Sequence, residues 1–204
     1  EHAQGCFERE LALYQENGDR RGLAGALRGC GFSAMQRGEM DLAQQYTDKS
    51  LAVAEAAEDH WGAAWSLFDL GYLAMVRDLF GEAGRRLEAA VAALREEGIQ
   101  FGLFRALFAL AQVRATQGDK TGARRLYHEA LRLQQEMHYI HSSADCLESF
   151  AGFEAREGSS IRAARLFGAA LSQRGAVEVA LHQRHQPFGE LTTCRLGVVE
   201  DFVP

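Results

Sequence analysis

The chain has 204 residues, 47% of them hydrophobic, and a net charge of −6. That balance disfavours a general binder of nucleic acid or anionic membrane, which needs a basic footprint, and no apolar run approaches the ~20 residues of a membrane span. Only Pro187 and Pro204 interrupt the backbone, so long helices are expected through most of the chain, and 21 glycines point to many short interhelical turns.

Taken in order, the elements repeat every 40 residues. Residue 1 is Glu and the chain opens inside a helical pattern, with Ala3, Phe7 and Leu11 in the frame of a second helix, so a half repeat over 1–18 is expected and no signal peptide is read. Repeats then follow at about 19–58, 59–98, 99–138 and 139–174. In the first helix of each, Leu27, Leu67, Leu107 and Leu147 align. Cys30, Leu70, Leu110 and Phe150 follow three residues on, and then the small Gly31, Gly71, Ala111 and Ala151. These spacings share one helical face. A turn slot holds Gly38, Asp78, Gly118 and Gly158, and a second helix is expected from about Asp41 to Glu58 and equivalently later. That helix carries Ala43, Ala83, Ala123 and Ala163, then Ser50, Ala90, Ala130 and Ala170, each of these last followed by Leu51, Val91, Leu131 or Leu171. The small positions belong where two helix axes cross closely. One such pair cannot cover its own apolar face, so neighbours must stack. After about Gly175 the register fades. A helix over 176–186 ended by Pro187 is expected, then an apolar face of Phe188, Leu191, Leu196, Val199 and Phe202, so that 175–204 caps the last repeat.

The Leu-x-x-Leu-Gly pattern with its later Ala and Ala-Leu resembles the tetratricopeptide (TPR) repeat over about residues 1–174. The resemblance implies an all-α, right-handed α-solenoid of TPR-like helix pairs with capping helices at the C-terminus. The period departs from the ~34 residues of the standard motif; the added residues are expected to lengthen the helices. The terminal proline of the motif is absent, and its aromatic slot holds Ala34, Ala74, Arg114 and Glu154. Segments such as AVAEAAEDHWGAAWSLFDLGYLAMVRD and, above all, AARLFGAA (Ala163 to Ala170) also resemble the helical regions that follow ATPase modules in bacterial signal-transducing regulators of the LuxR type. That resemblance implies a cytoplasmic fragment of a larger regulator, in which such repeats sense inducers or hold partner proteins.

Signatures of chemistry are scarce. GxxxxGK[ST], GxGxxG and HExxH are all missing, so neither a cofactor nor a catalytic constellation is expected. His138 with His141, and His182 with His185, have helical spacing for a shared metal but lack a third ligand. The acidic pairs Glu96–Glu97 and Glu8/Glu10 sit at helix ends or on polar faces. Cys6, Cys30, Cys146 and Cys194 form no CxxC pair and read as reduced, buried thiols of a cytosolic protein.

The TPR resemblance also places the first helix of each pair on the concave surface. The inward positions are Gly25, Arg28, Phe32 and Met35; Trp65, Phe68, Tyr72 and Met75; Arg105, Phe108, Gln112 and Ala115; and Asp145, Glu148, Gly152 and Ala155. Such a stripe can equally be core or a self-association surface. Because the leucine row already supplies a core, the expectation is a groove with Trp65, Phe68 and Tyr72 partly exposed, Arg28 and Arg105 beside them and an acidic last repeat. A second row, Arg85, Arg125 and Arg165, should lie on the convex face, with Glu88 and Glu129 three and four residues beyond the first two, within ion-pair reach. The function expected is a non-catalytic protein- or peptide-binding module, with no membrane partner and nucleic acid disfavoured. The alternatives are a small-molecule inducer sensor in the same groove, or a self-assembly scaffold that forms a homodimer.

Overall fold

The computed structural model describes residues 9, 11, 13–137 and 143–184, the stretch 176–184 by backbone alone. A helical segment at 13–17 precedes α1 (Arg20–Gln36), α2 (Met40–Ala56), α3 (His60–Val76), α4 (Phe80–Glu96), α5 (Gln100–Thr116), α6 (Lys120–Glu136), α7 (Ser143–Arg156) and α8 (Ser160–Arg184). No strand occurs among the described residues.

The helices from α1 to α6 are 17 residues long and are joined by three-residue links, so the 40-residue repeat is built from 20-residue modules. Each link ends one helix and starts the next. At the first, Gly38 adopts φ 78° and donates to the Met35 carbonyl at 3.0 Å, while the Glu39 amide donates to the Ala34 carbonyl at 3.0 Å. This is the Schellman closure, and Glu39 is already the N-cap of α2. The same left-handed conformation recurs at Gly18, Glu58, Asp78, Gly98, Gly118 and Gly158. Asp19, Asp59 and Asp119 complete their links as side-chain N-caps, accepting from the amides of Gly22, Gly62 and Gly122. The added length of the repeat therefore goes equally into both helices. The second helix begins at Met40 and stops at Ala56, slightly short of the expected Glu58, because Glu58 is itself the left-handed residue of the link.

Successive helices pack as hairpins, and the first helices α1, α3, α5 and α7 also touch one another, whereas the second helices do not to a comparable degree. The array thus curves with its first helices inside, the arrangement of a TPR-like α-solenoid. The small positions sit where expected. A Cβ on Gly71 would fall 2.7 Å from Leu87 Cγ, and one on Gly31 2.5 Å from Thr47 Oγ1. Ala43, Ala83, Ala123 and Ala163 are buried. The row Leu27, Leu107 and Leu147 is buried, but Leu67 is only half-buried. Cys30 and Cys146 are buried thiols, not disulfides; Cys6 and Cys194 lie outside the described residues.

At the C-terminal end, α8 runs unbroken from Ser160 to Arg184. The helix expected over 176–186 is therefore the continuation of α8 as far as Arg184, since neither a proline nor a left-handed turn intervenes. The apolar positions Phe188 to Phe202 lie outside the described residues. Leu171, whose counterpart Val91 is buried by the following repeat, is 68% exposed. None of the described helices is long and apolar enough to cross a membrane.

Candidate functional site

The inward positions of α1, α3 and α5 converge on one face, but not with the expected exposure. Trp65 and Phe68 are 8% and 2% exposed, so they are core, not open groove. The reason is tertiary: Arg28 from α1 covers Trp65, its guanidinium carbon 5.3 Å from the ring centroid, and Arg105 from α5 covers Phe68 at 4.8 Å. Tyr72, stacked on Phe68 at 6.2 Å, is half-buried, as are Met35, Met75, Phe108 and Gln112. The aromatic surface that stays open is Phe32 at 50%, Trp61 at 50% and Phe101 at 38%. Trp61 and Phe101 continue the inward stripe one turn towards each helix N-terminus, at matching positions 40 apart. Extending the stripe by that turn in the sequence finds them.

The face is electrostatically uneven. Arg28 donates to Asp69 Oδ2 at 3.4 Å and also lies 5.9 Å from the Trp61 ring. Burial pushes the Asp69 carboxyl above its ordinary range; Arg28, with Arg105 farther off, pulls it only part of the way back. Arg105 lies over Phe68 and, at 5.9 Å, over Phe101, and its guanidinium makes no hydrogen bond or ion pair with a described residue. The indole N–H of Trp65 is buried and likewise unpartnered among the described residues. A guanidinium attracted to ring faces can still direct its N–H donors to a carboxylate or carbonyl.

Farther along, Gln112 Nε2 donates to Ser149 Oγ at 3.0 Å, joining α5 to α7. Beside them lies a cleft of about 380 Å³ lined by Gln112, Tyr127, Glu148, Ser149, Gly152 and Arg156, among others. The expected acidity of the last repeat is largely cancelled. Arg174 of α8 binds Asp145 at 3.0 Å and Glu148 at 2.8 and 2.9 Å, and its hydrogen bond holds Glu148 below the ordinary carboxylate range.

On the outer helices Arg85, Arg125 and Arg165 are exposed as expected. Glu88 and Glu129 do not pair with them. Glu88 binds Arg114 and Glu129 binds Arg95 at 2.6 Å, both between neighbouring helices. Contacts across the hairpin stack thus win over those along one helix. The two charged departures from the TPR aromatic slot, Arg114 and Glu154, join such networks. Arg114 takes Glu88, while Glu154, with no exposed surface, accepts from Arg124 at 2.6 and 3.2 Å and from Arg162 at 3.0 Å. No cluster of metal-ligating side chains occurs among the described residues, and both histidine pairs fall outside the residues whose side chains are described.

No family model matches the chain, and no curated protein matches it. Solved structures do. BtubC (BKLC) from P. vanneervenii superposes with a TM-score of 0.72 at 15% identity, over 94% of this chain and 80% of that one. A protein of nearly identical TPR-like repeats from Podospora anserina gives 0.66 at 15%, over 87% of this chain and 88% of that one. A Rap protein complexed with Competence and Sporulation Factor gives 0.59 at 13%, over 86% of this chain and 59% of that one. At such identities the likeness is one of fold, a TPR-like helical repeat.

Proposed function

We propose that the chain is a non-catalytic binding module whose concave face takes a segment of another protein or a peptide. The observation that carries this reading is Arg105: a guanidinium over Phe68 and Phe101 without an acceptor among the described residues, on the same helix row that exposes the rings of Phe32, Trp61 and Phe101. Exposed aromatics on one face with a guanidinium that has no acceptor among the described residues suit a partner that offers an apolar side chain next to a carboxylate or carbonyl. Arg28, Met35, Tyr72, Met75, Phe108 and Gln112 frame that contact, while Trp65 and Phe68 act as its floor. That a Rap protein of related fold was solved complexed with Competence and Sporulation Factor supports the reading at the level of fold only.

The wider context rests on sequence resemblance. The AARLFGAA stretch supports placing this module within a larger cytosolic bacterial regulator, with 1–174 as the repeat array and 175–204 as its cap. The direct test is selection from a random peptide library by the immobilised chain. Wild type should enrich defined sequences. A Trp61→Ala/Phe101→Ala/Arg105→Gln variant with an unchanged melting temperature should enrich none of them. Equal enrichment by the two proteins would remove the groove from this face.

A further inference from the structure

The cleft between α5 and α7 has a cause in the repeat frame. The inward slot after the small residue holds Phe32, Tyr72, Gln112 and Gly152 in successive repeats, and the next inward slot holds Met35, Met75, Ala115 and Ala155. Side chains that fill the face in the first two repeats are thus missing at its far end. A Cβ on Gly152 would have one neighbour within 4 Å, Arg156 Nη1 at 3.6 Å. The floor of the opening is Tyr127, which reaches in from the outer helix α6 and stacks on Phe150 at 4.8 Å. Its equivalents Leu87 and Thr47 lie against the Gly71 and Gly31 crossings instead.

The polar groups around this opening differ in how far the fold already satisfies them. Ser149 Oγ accepts from Gln112, and its own proton has no acceptor among the described residues. Arg156, exposed at the rim, makes no ion pair or hydrogen bond with a described residue. Glu148, the acid on the wall, is already neutralised by the two-pronged contact from Arg174. Among the charged groups lining the opening, Arg156 is thus the one without a partner among the described residues, with the Ser149 hydroxyl on the same cleft and a volume of about 380 Å³ to hold a side chain.

We propose that this cleft is a second subsite of the concave groove, which takes one acidic side chain of the bound segment between the Arg156 guanidinium and the Ser149 hydroxyl. The inference rests on reading the concave face as a peptide groove, and it adds a register. Gln112 follows Arg105 by seven residues on α5, about 10 Å along the helix axis. An extended segment advances about 3.3 Å per residue. A residue held at Arg105 and an acid held in the cleft, which lies towards α7, are thus at least about three positions apart.

The test is positional. The full chain selects from a random nine-residue library with amidated C-termini, so that only side-chain carboxylates are offered. Wild type is expected to enrich an Asp or Glu at one fixed spacing, at least about three positions, from the residue lost on Arg105→Gln. Gly152→Phe, which restores the side chain found at Phe32, and Arg156→Gln should each erase that acidic preference and keep the preference for an apolar side chain at the Arg105 end. Melting curves of both variants should overlie wild type, since a Cβ on Gly152 would meet only the tip of the Arg156 side chain, at ordinary contact distance, and Arg156 is exposed. Persistence of the acidic preference in both variants overturns the subsite while the groove stands. A wild-type chain that enriches no sequence overturns the groove and the subsite together.

Discussion

Two arginines that lie over phenylalanine rings in this solenoid, Arg124 and Arg105, meet opposite outcomes. Arg124 lies 5.5 Å from the Phe153 ring and grips the fully buried Glu154 with two hydrogen bonds, while Arg162 approaches the same carboxylate from α8. Arg105 lies 4.8 Å from the Phe68 ring and grips nothing among the described residues. The carboxylates tell the same story in reverse. Burial pushes Glu154 up, but Arg124 and Arg162 outweigh it and leave the group below its ordinary range. At Asp69 burial outweighs Arg28 and the more distant Arg105, leaving that group above it. A closed cation–carboxylate–ring set is a stabilising joint between repeats; an open one, facing exposed aromatics, has donors to spare for a partner.

The largest effect should come from the floor of the open set. Phe68→Ala removes a ring with 2% exposure from between α3 and α5 and should cost roughly 3–5 kcal/mol in chemical denaturation. A loss under about 1 kcal/mol would mean that Phe68 is groove after all.

Next comes the closed set. Glu154→Ala leaves Arg124 and Arg162 without their shared acceptor and should cost about 3 kcal/mol. This is the low end for a broken buried pair, because both arginines keep part of their hydration. The pH dependence sharpens the contrast. Glu154 is depressed in the folded state, so its contribution is full above the unfolded glutamate value of about 4.3 and is lost as pH falls through the lower folded value. Asp69 is raised, so the cost of its charge is present at neutral pH and is relieved as pH falls. In melts from pH 7 downward the deficit of Glu154→Gln should shrink. Asp69→Asn, most favourable relative to wild type at pH 7, should lose that relative advantage. Parallel curves would show that the two carboxylates do not differ in this way.

Between the two sets, Ala123 of α6 has no exposed surface. Ala123→Leu should overpack that crossing and cost about 1–3 kcal/mol, as should the equivalent Ala83→Leu. Midpoints equal to wild type for both would undo the repeat frame itself.

That frame was the most legible part of the molecule. Gly38, Gly118 and Gly158 announce their turns because a glycine relieves the left-handed backbone there. Gly71 and Ala83 announce crossings because larger side chains collide there. Glu58 and Asp78 adopt the same turn without that signal, so the 20-residue module hid behind the 40-residue repeat. The candidate site was legible only as a stripe. Which rings on it are sealed depends on arginines 37 residues away in sequence, Arg28 above Trp65 and Arg105 above Phe68. Helical spacing carries no trace of such contacts. The partners of Glu88 and Glu129 escaped for the same reason, since each binds an arginine on a different helix.

The smallest expected effect bears most directly on function. Arg105 is half-buried, and Arg105→Gln keeps the stem that shields Phe68 while it removes the charge and part of the donor fork. With no hydrogen bond or ion pair to a described residue to lose, the variant forfeits mainly a cation–π contact, so its stability should stay within about 1 kcal/mol of wild type. Arg124→Gln, which strands a buried carboxylate, should be destabilised by several times as much. Urea melts of the two variants side by side measure the difference. Equal losses would show that the fold depends on Arg105 no less than on Arg124, and the concave face would then have no spare cation to offer. A near-neutral Arg105→Gln set against a damaged Arg124→Gln would identify the one arginine of the pair that the fold holds in place without depending on it.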